Sequence, residues 1–213
     1  MAPAVVNEPD SVPDRPDRMT RFERAAYAEG FLRLAGLDEA GRGPLAGPVV
    51  AAAVILPEGC SIPGLRDSKK LSASRREALM DEIQKSALGV GLGIVDEKTI
   101  DRINIYRATQ SAMKQAVGLL NPQPDFLLID AMKLPDCAIR QNSIIGGDDL
   151  SLSIAAASVV AKVTRDRMML EYDRMYPDYN FKSHKGYGTR EHLRALRTHG
   201  PCEIHRRTFR GVV

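Results

Sequence analysis

Hydrophobic and polar positions along the chain form two kinds of pattern, one typical of strands and one typical of helices. Short apolar runs that favour strands occupy the segments 31–38, 49–56, 90–95, 126–130 and 139–145. Apolar residues at helical spacing favour helices over 72–87, 105–120 and 152–170, and a capping pattern favours a short helix over 20–29. Five strands with interleaved helices predict an α/β fold: a three-layer α/β/α domain with a five-stranded mixed sheet and a helical C-terminal part.

The ends and faces of these helices give finer predictions. Thr20 and Glu23 have the spacing of a capping box at the start of the first helix. The last helix carries one apolar stripe, and Lys162, Arg165 and Asp166 lie off that stripe. The stripe consists of Leu152, Ala155, Ala156, Val159, Val160, Val163 and Leu170. Its small residues predict close packing of the helix against the sheet.

Composition indicates a single aliphatic core. Of 213 residues, 44% are hydrophobic but only 5% are aromatic and none is Trp, so the core depends on Ala and branched aliphatic side chains. Residues 1–19 differ, because four Pro lie there among Asp and Arg. We therefore predict a disordered extension over 1–19 and one domain over 20–213.

Charge is unevenly distributed along the chain. Residues 162–210 hold twelve Lys or Arg and six Asp or Glu, a net charge of +6 in a chain whose total is +3, together with all four His. A basic end on a near-neutral body indicates a polyanionic partner. A solvated helix face followed by a basic tail explains the same charges, so charge alone does not decide between the two.

Cysteines and apolar runs indicate the compartment. Cys60, Cys137 and Cys202 are scattered and odd in number, which argues against a disulfide framework and fits a reducing compartment. No apolar run reaches the ~18 residues of a membrane span. The N-terminus also lacks the basic and apolar regions of a signal peptide. We expect a cytoplasmic monomer that does not contact a membrane.

Four acidic residues stand beside predicted elements. Asp38 and Glu39 follow the first apolar strand, Asp130 ends the fourth, and Asp148 precedes the last helix. A buried carboxylate is unfavourable unless it is paired or binds a metal ion. Carboxylate oxygens suit Mg²⁺ or Mn²⁺. Two such ions ~4 Å apart can activate a water molecule and stabilise the leaving oxygen of a phosphodiester.

Parts of this pattern have other interpretations. Asp148 and the adjacent Asp149 have the positions of helix N-terminal acids, which the helix dipole favours without any metal. Gly36 and Gly41 have the spacing of a nucleotide-binding P-loop, but residues 42–43 lack the required Lys followed by Ser or Thr. The nucleotide-binding interpretation is therefore weak, whereas the choice between Asp148 and Asp149 stays open.

Several motifs occur in a fixed order along residues 31–210. They include Leu-Asp-Glu-Ala-Gly-Arg-Gly-Pro-Leu-Ala-Gly-Pro-Val at 37–49, Asp-Ser-Lys-Lys-Leu at 67–71, Leu-Ile-Asp at 128–130, Ser-Ile-Ala-Ala-Ala-Ser at 153–158 and His-Lys-Gly-Tyr-Gly-Thr at 184–189. Together they resemble the bacterial type 2 ribonuclease H family, ribonuclease HII. The resemblance implies an RNase H-like fold and a site of four carboxylates and two metal ions. By position those acids are Asp38, Glu39, Asp130 and Asp148.

The resemblance also implies contacts to the substrate. The turn formed by Gly41, Arg42 and Gly43 matches the one that lies against the ribose 2′-hydroxyl, where Gly permits close approach and the hydroxyl distinguishes RNA from DNA. Tyr187 matches the residue that recognises the step from ribonucleotide to deoxyribonucleotide. A structural partner of a nearby acid is the alternative for Arg42, and a core residue is the alternative for Tyr187.

Two lysines extend the resemblance to this family, and one segment differs from the family pattern. Lys69 and Lys185 match positions near the phosphates, with a solvated surface side chain as the alternative for each. His184 and His205 have either a phosphate contact or a structural role. Where many relatives carry Lys-Gly-Asp, residues 146–149 read Gly-Gly-Asp-Asp, which again leaves the fourth acid undecided.

The expected activity follows from this resemblance. We expect an endonuclease that hydrolyses the RNA strand of RNA/DNA hybrids and cuts 5′ of ribonucleotides embedded in duplex DNA. Two Mg²⁺ or Mn²⁺ ions would assist, and the products would carry 5′-phosphate and 3′-hydroxyl ends. A DNA-cutting nuclease of the same fold would share the acids but ignore the 2′-hydroxyl. A non-catalytic module would bind hybrid through its basic tail and cut nothing.

Overall fold

A five-stranded mixed sheet forms the centre of the computed structural model, which describes residues 19–65 and 71–212. In chain order the strands are β1 (Leu34–Ala40), β2 (Val49–Ile55), β3 (Gly89–Val95), β4 (Phe126–Asp130) and β5 (Arg140–Ile144). Their order across the sheet is β3-β2-β1-β4-β5. Neighbours among β1, β2 and β3 are antiparallel, whereas β4 is parallel to β1 and β5 to β4. The predicted mixed sheet is confirmed.

Seven α-helices connect and cover the strands within the described residues. They are α1 (Arg21–Ala28), α2 (Ala73–Ser86), α3 (Glu97–Ile103), α4 (Ile105–Gly118), α5 (Leu152–Met175), α6 (Phe181–His184) and α7 (Arg190–His199). Short 3₁₀ turns at Gly147–Asp149 and Pro177–Tyr179 precede α5 and α6. The apolar pattern had not predicted α3, although Asp96 caps it by accepting the N–H of Thr99 at 2.7 Å.

The two faces of the sheet are covered by different helices. Leu37 and Ala51 point to one face, where they pack with Met113 of α4. Ala52 points to the other face, where it packs with Val159 of α5 and with α2. Since side chains alternate between the faces of a strand, β1 and β2 are buried on both sides. The predicted three-layer α/β/α arrangement is confirmed.

The long helix α5 lies directly against β1. A Cβ added at Gly36 of β1 would stand 2.0 Å from the carbonyl carbon of Ser153, so only glycine allows this approach. The single-stripe prediction for α5 was wrong at two positions: Leu170 is 42% exposed, and Arg165 is buried. Neighbouring elements cover the N-terminal part of α5 on most sides, so a single stripe underestimates its burial.

The N-terminal part differs in detail from the prediction. The helix beginning near residue 20 is confirmed as α1, but the capping box was wrong, because the Thr20 side chain makes no capping hydrogen bond and Glu23 is turned towards α5. The predicted disorder of 1–19 falls, apart from Met19, outside the described residues, as does Lys69. No helix in the described ranges is long and apolar enough to cross a membrane.

Candidate active site

Asp38 and Asp130 lie at the same edge of the sheet on neighbouring strands. The parallel register of β1 and β4 pairs Leu37 with Ile129, so the two acids occupy the next position on each strand. Asp38 is 5% exposed. Its carboxylate accepts the backbone N–H of Glu39 at 2.7 Å and a hydrogen bond from the Ser158 hydroxyl of α5.

The surroundings of Asp38 disfavour its negative charge. Burial raises the pKa of the Asp38 carboxyl well above its usual range, and the charges of Glu39 and Asp130 raise that pKa further. The hydrogen bonds from Ser158 and from the Glu39 backbone act in the opposite direction. Several acidic groups lie close together at a partly buried edge of the sheet. A bound cation would offset the repulsion between their negative charges.

A turn before α5 brings Asp148 to the same edge. The Gly147 N–H donates to Oδ1 of Asp130 at 2.8 Å, which ties the turn to the end of β4. Asp148 is 4% exposed, whereas Asp149 is exposed. The cap of α5 is Ser151, whose side chain accepts the Ile154 N–H. The geometry therefore favours Asp148 over Asp149 as the fourth acid, and a capping role does not account for its burial.

The acids do not form a closed cage in their present positions. Within residues 19–65 and 71–212, no group of three His, Cys, Asp or Glu stands ready to hold a metal ion. One oxygen of Asp130 is engaged by Gly147, and Oε1 of Glu39 lies 3.4 Å from Nη1 of Arg42. The available donors are still carboxylate oxygens at one buried edge, a set whose chemistry fits a hard divalent cation.

Two buried arginines hold the loop between β1 and β2 by its carbonyl oxygens. Arg206 donates at 2.6–3.2 Å to the carbonyl oxygens of Gly41, Arg42, Pro44 and Gly47. Arg165 donates at 3.0 Å to those of Ala46, Pro48 and Lys185. The conformation of the Gly-Arg-Gly turn therefore depends on α5 and on the C-terminal segment, both far away in sequence.

Neither of these arginines has an ion-pair partner in the described part of the chain. Burial lowers the pKa of Arg165 to about 10, and burial together with the charge of Arg165 lowers the pKa of Arg206 to about 9. Both guanidinium groups are thus still protonated at neutral pH. Carbonyl dipoles replace water around them, and two positive charges lie directly beneath the loop.

The turn itself is built for close approach. Gly41 has φ +100°, and a Cβ there would lie 2.2 Å from Nε of Arg165, so glycine is required on both grounds. A Cβ at Gly43 would be 3.6 Å from Cε1 of Tyr187. Tyr187 is 46% exposed, which contradicts a core role and leaves its ring available beside the turn. The N–H of Leu45 donates to the Gly186 carbonyl at 2.8 Å and joins the two segments.

The charged residues predicted at the substrate are placed less clearly. Arg42 pairs with Glu39, its Nη1 lying 3.4 Å from Oε1, and 43% of the Arg42 side chain is exposed to solvent. Lys185 is half-buried, its Nζ donates to the Lys182 carbonyl, and burial lowers its pKa. A fully solvated Lys185 is therefore not what the structure contains.

Three histidines form a buried chain beneath Tyr187. His192 donates through Nδ1 to the Tyr187 carbonyl at 2.9 Å, and its Nε2 lies 2.9 Å from Nε2 of His205. Nδ1 of His205 accepts the Cys202 N–H at 3.0 Å. His184 stacks on His192 with a ring separation of 4.5 Å. These contacts assign His184 and His205 a structural role rather than a phosphate contact.

Sequence reasoning gave no role to Ser158, Arg165 or Arg206. Ser158 and Arg165 are seven residues apart and therefore share a face of α5. This spacing could have indicated that a hydroxyl and a cation both face the site. No sequence pattern indicated a role for Arg206, because a single arginine in a basic segment is expected to be exposed to solvent. The P-loop interpretation is wrong, since Gly36 lies inside β1.

Comparisons with known proteins agree with this geometry. The family model for ribonuclease HII matches residues 35–212. The ribonuclease HII of Acetivibrio thermocellus is 60% identical over 191 residues, which cover 90% of this chain and 75% of that protein. The solved ribonuclease H2 of Pyrococcus horikoshii superimposes with a TM-score of 0.73 at 24% identity, over 85% of this chain and 95% of that one.

A more distant solved structure has the same fold. Bst-RNase HIII in complex with Mn²⁺ superimposes with a TM-score of 0.63 at 19% identity, over 85% of this chain and 68% of that one. Three observations support the same family: the strand order, the acids near the ends of β1 and β4, and the match over nearly all of the described residues. The chain belongs to the ribonuclease HII family, whose members are endoribonucleases acting on the RNA of RNA/DNA hybrids.

Proposed function

We propose that this enzyme cuts both the RNA strand of RNA/DNA hybrids and the 5′ side of ribonucleotides embedded in duplex DNA, with divalent metal ions at Asp38, Glu39, Asp130 and Asp148. The observation that carries the proposal is the meeting of Asp38 and Asp130 on adjacent parallel strands, beside the Gly-Arg-Gly turn. One edge of the sheet then offers oxygen ligands and a backbone surface for a ribose.

The four acids would hold the metal ions. Asp38 and Asp130 supply oxygens from the strand ends, Asp148 from the turn before α5, and Glu39 from the opposite face of β1. Two bound Mg²⁺ or Mn²⁺ ions would supply an activated water and stabilise the leaving oxygen. Hydrolysis breaks the bond from phosphorus to the 3′-oxygen, which takes up a proton, and leaves 5′-phosphate and 3′-hydroxyl ends.

The remaining residues would select and hold the substrate. The turn at Gly41, Arg42 and Gly43 approaches the 2′-hydroxyl, and the exposed Tyr187 ring beside it contacts the sugar at the junction to DNA. We assign Lys69 and Lys185 to the phosphates on the family resemblance. The buried charges of Arg165 and Arg206 make the loop electropositive, which favours a polyanion.

Replacing single carboxylates tests the metal site. We expect Asp38→Asn, Asp130→Asn and Asp148→Asn each to lower kcat by at least 100-fold on a duplex with one embedded ribonucleotide in Mg²⁺, because each removes a charged ligand. Asp149→Asn is the matched control, since Asp149 is exposed one residue away, and we expect it to keep near-normal activity. Near-normal cutting by Asp38→Asn or Asp130→Asn would disprove the assignment.

A panel of substrates separates the alternative functions. We expect cleavage of hybrid and of ribonucleotide-containing duplex, and no cleavage of all-DNA duplex of the same sequence. Equal cleavage of all-DNA duplex would indicate a DNA nuclease. Binding of hybrid in EDTA without cutting in either Mg²⁺ or Mn²⁺ would indicate a non-catalytic module.

We also propose that residues 20–213 act as one catalytic domain in a cytoplasmic monomer. The match to the family over 35–212 and the free thiols of Cys60, Cys137 and Cys202 support this proposal. Light scattering of the purified chain tests its monomeric state, and a stable dimer would contradict it.

A further inference from the structure

Glu23 of α1 is a buried carboxylate directed at the start of the long helix. Its side chain is 7% exposed. Oε1 accepts the Ser151 hydroxyl at 2.7 Å and the Ser153 N–H at 3.0 Å. Residue 23 precedes the region 35–212 that the family model matches, so that model assigns nothing to this contact.

A short series of hydrogen bonds connects Glu23 to the acids of the site. Ser151, which Glu23 holds, donates its N–H to the Gly147 carbonyl at 2.8 Å. Gly147 in turn donates its N–H to Oδ1 of Asp130 at 2.8 Å. Asp148 lies between Gly147 and Ser151 in the chain, so both ends of its short segment are fixed by this series.

The burial of Glu23 calls for an explanation beyond packing. A buried carboxylate is unfavourable, and an apolar side chain of similar size often stabilises a fold equally well. In the described residues Glu23 has no ion-pair partner, and its Oε2 is buried without a hydrogen bond. The N-terminal dipole of α5 and two donors favour the charge. One of these donors, the Ser151 hydroxyl, belongs to the residue that ends the segment carrying Asp148.

We propose that Glu23 is a positioning residue for the candidate metal site: through Ser151 it fixes the Gly147–Asp149 turn and thereby places Asp148 beside Asp130. This inference rests on the proposed function, because it assumes that Asp148 is a metal ligand. The proposal gives α1, which precedes the region matched by the family model, a part in preparing the site. Glu23 itself touches neither substrate nor metal.

Calorimetric titration of the metal-free full chain with Mn²⁺, without substrate, tests the proposal. We expect Glu23→Ala to weaken Mn²⁺ binding at least threefold, because the turn loses its anchor. Glu23→Gln retains an oxygen that accepts from Ser151 and Ser153, so we expect binding within twofold of the wild type. Glu23→Gln also loses the favourable interaction of the negative charge with the N-terminal dipole of α5, so we expect a lower melting temperature with the metal affinity kept.

Phe22→Ala is the matched control on the same helix. Phe22 packs against the apolar cluster beneath α1, and its hydrocarbon side chain cannot take part in the hydrogen bonds from Glu23 to Asp130. We expect it to lower the melting temperature and leave Mn²⁺ affinity unchanged. If Glu23→Ala does not fold, Ser151→Ala interrupts the same series and should weaken Mn²⁺ binding in the same direction.

The outcomes separate this inference from the function on which it rests. Mn²⁺ binding that is lost in Asp38→Asn but unchanged in Glu23→Ala overturns the role of Glu23 alone. An equal loss of affinity in Phe22→Ala also overturns it, because general loosening of α1 would then suffice. Absence of Mn²⁺ binding by the wild type overturns both the metal site and the role of Glu23.

Discussion

At the scale of single residues, the conformation of the loop between β1 and β2 depends on two arginines that are buried, where charged side chains are seldom found. Arg206 is completely buried and holds carbonyl oxygens of the Gly-Arg-Gly turn, while Arg165 holds the far end of the same loop. A loop with many unpaired carbonyl groups needs donors, and one guanidinium supplies five N–H groups in fixed geometry. The two buried arginines therefore determine the conformation of the turn beside the acids.

We predict that Arg206→Met destabilises the protein by about 3 kcal/mol, because several buried carbonyl groups lose their donors at once. Arg206→Lys should recover only part of this, since an ammonium group cannot reach all of them. Urea unfolding monitored by circular dichroism measures the effect. The adjacent Arg207, which is exposed, provides the control, and an Arg207→Met variant as unstable as Arg206→Met would contradict the explanation.

Tyr187 gives a second prediction at this scale. Its ring is half-exposed beside Gly43, so Tyr187→Ala removes a contact surface without opening the core. We expect the preference for a ribonucleotide–deoxyribonucleotide junction over continuous RNA to fall at least tenfold, with little change in melting temperature. The ratio of kcat/KM on the two substrates measures this preference, and equal losses on both would argue against a junction role.

At the scale of elements, the contact between β1 and α5 organises the site. β1 carries Asp38, α5 carries Ser158 and Arg165, and the two elements approach as closely as backbone allows at Gly36. Ser158 reaches Asp38 only because no side chain separates the strand from the helix at that level. The packing of these two elements therefore determines the environment of the acid.

We predict that Gly36→Ala destabilises the protein by about 3 kcal/mol, since its Cβ would lie 2.0 Å from the Ser153 backbone and the overlap can be relieved only by moving α5. Gly118→Ala, at the end of α4, is the control, because nothing lies within 4 Å of its Cβ. Alanine there should be neutral or stabilise by about 0.5–1 kcal/mol. Thermal denaturation of both variants checks the contrast.

At the scale of the whole molecule, the C-terminal segment completes the site begun near the N-terminus. Arg206 reaches the loop after β1, and an isolated bridge pairs Ala46 with His205. The buried histidine chain beneath Tyr187 holds α7 against this segment. Its hydrogen bonds require neutral rings, because Nδ1 of His205 accepts an N–H and its Nε2 donates to His192.

Stability should consequently fall in mild acid. Burial lowers the pKa of His205 to about 4 and also lowers that of His192, whereas an unfolded histidine titrates near 6.5. As pH falls from about 6.5 towards 4, the unfolded chain binds protons that the folded chain does not. The free energy of unfolding should therefore decrease, for His205 by something on the order of 2 kcal/mol after solvent screening.

Urea unfolding between pH 7.5 and 5 checks this prediction. His205→Gln should be less stable than the wild type at pH 7.5 but should depend less steeply on pH. His199→Gln, which alters an exposed histidine, should keep the full slope of the wild type. An unchanged slope in His205→Gln would show that other groups cause the acid sensitivity.

The sequence by itself determined the layers, the five strands and the acids at the strand ends, because alternation and helical spacing are local consequences of burial. Its motifs also indicated the family. Only the tertiary structure showed that Asp148 is buried while Asp149 is exposed, and that Glu23, Arg165 and Arg206 are buried. A local sequence pattern predicts that a charged side chain is exposed to solvent. For each of these three residues, burial depends on hydrogen-bond partners more than 100 residues away along the chain.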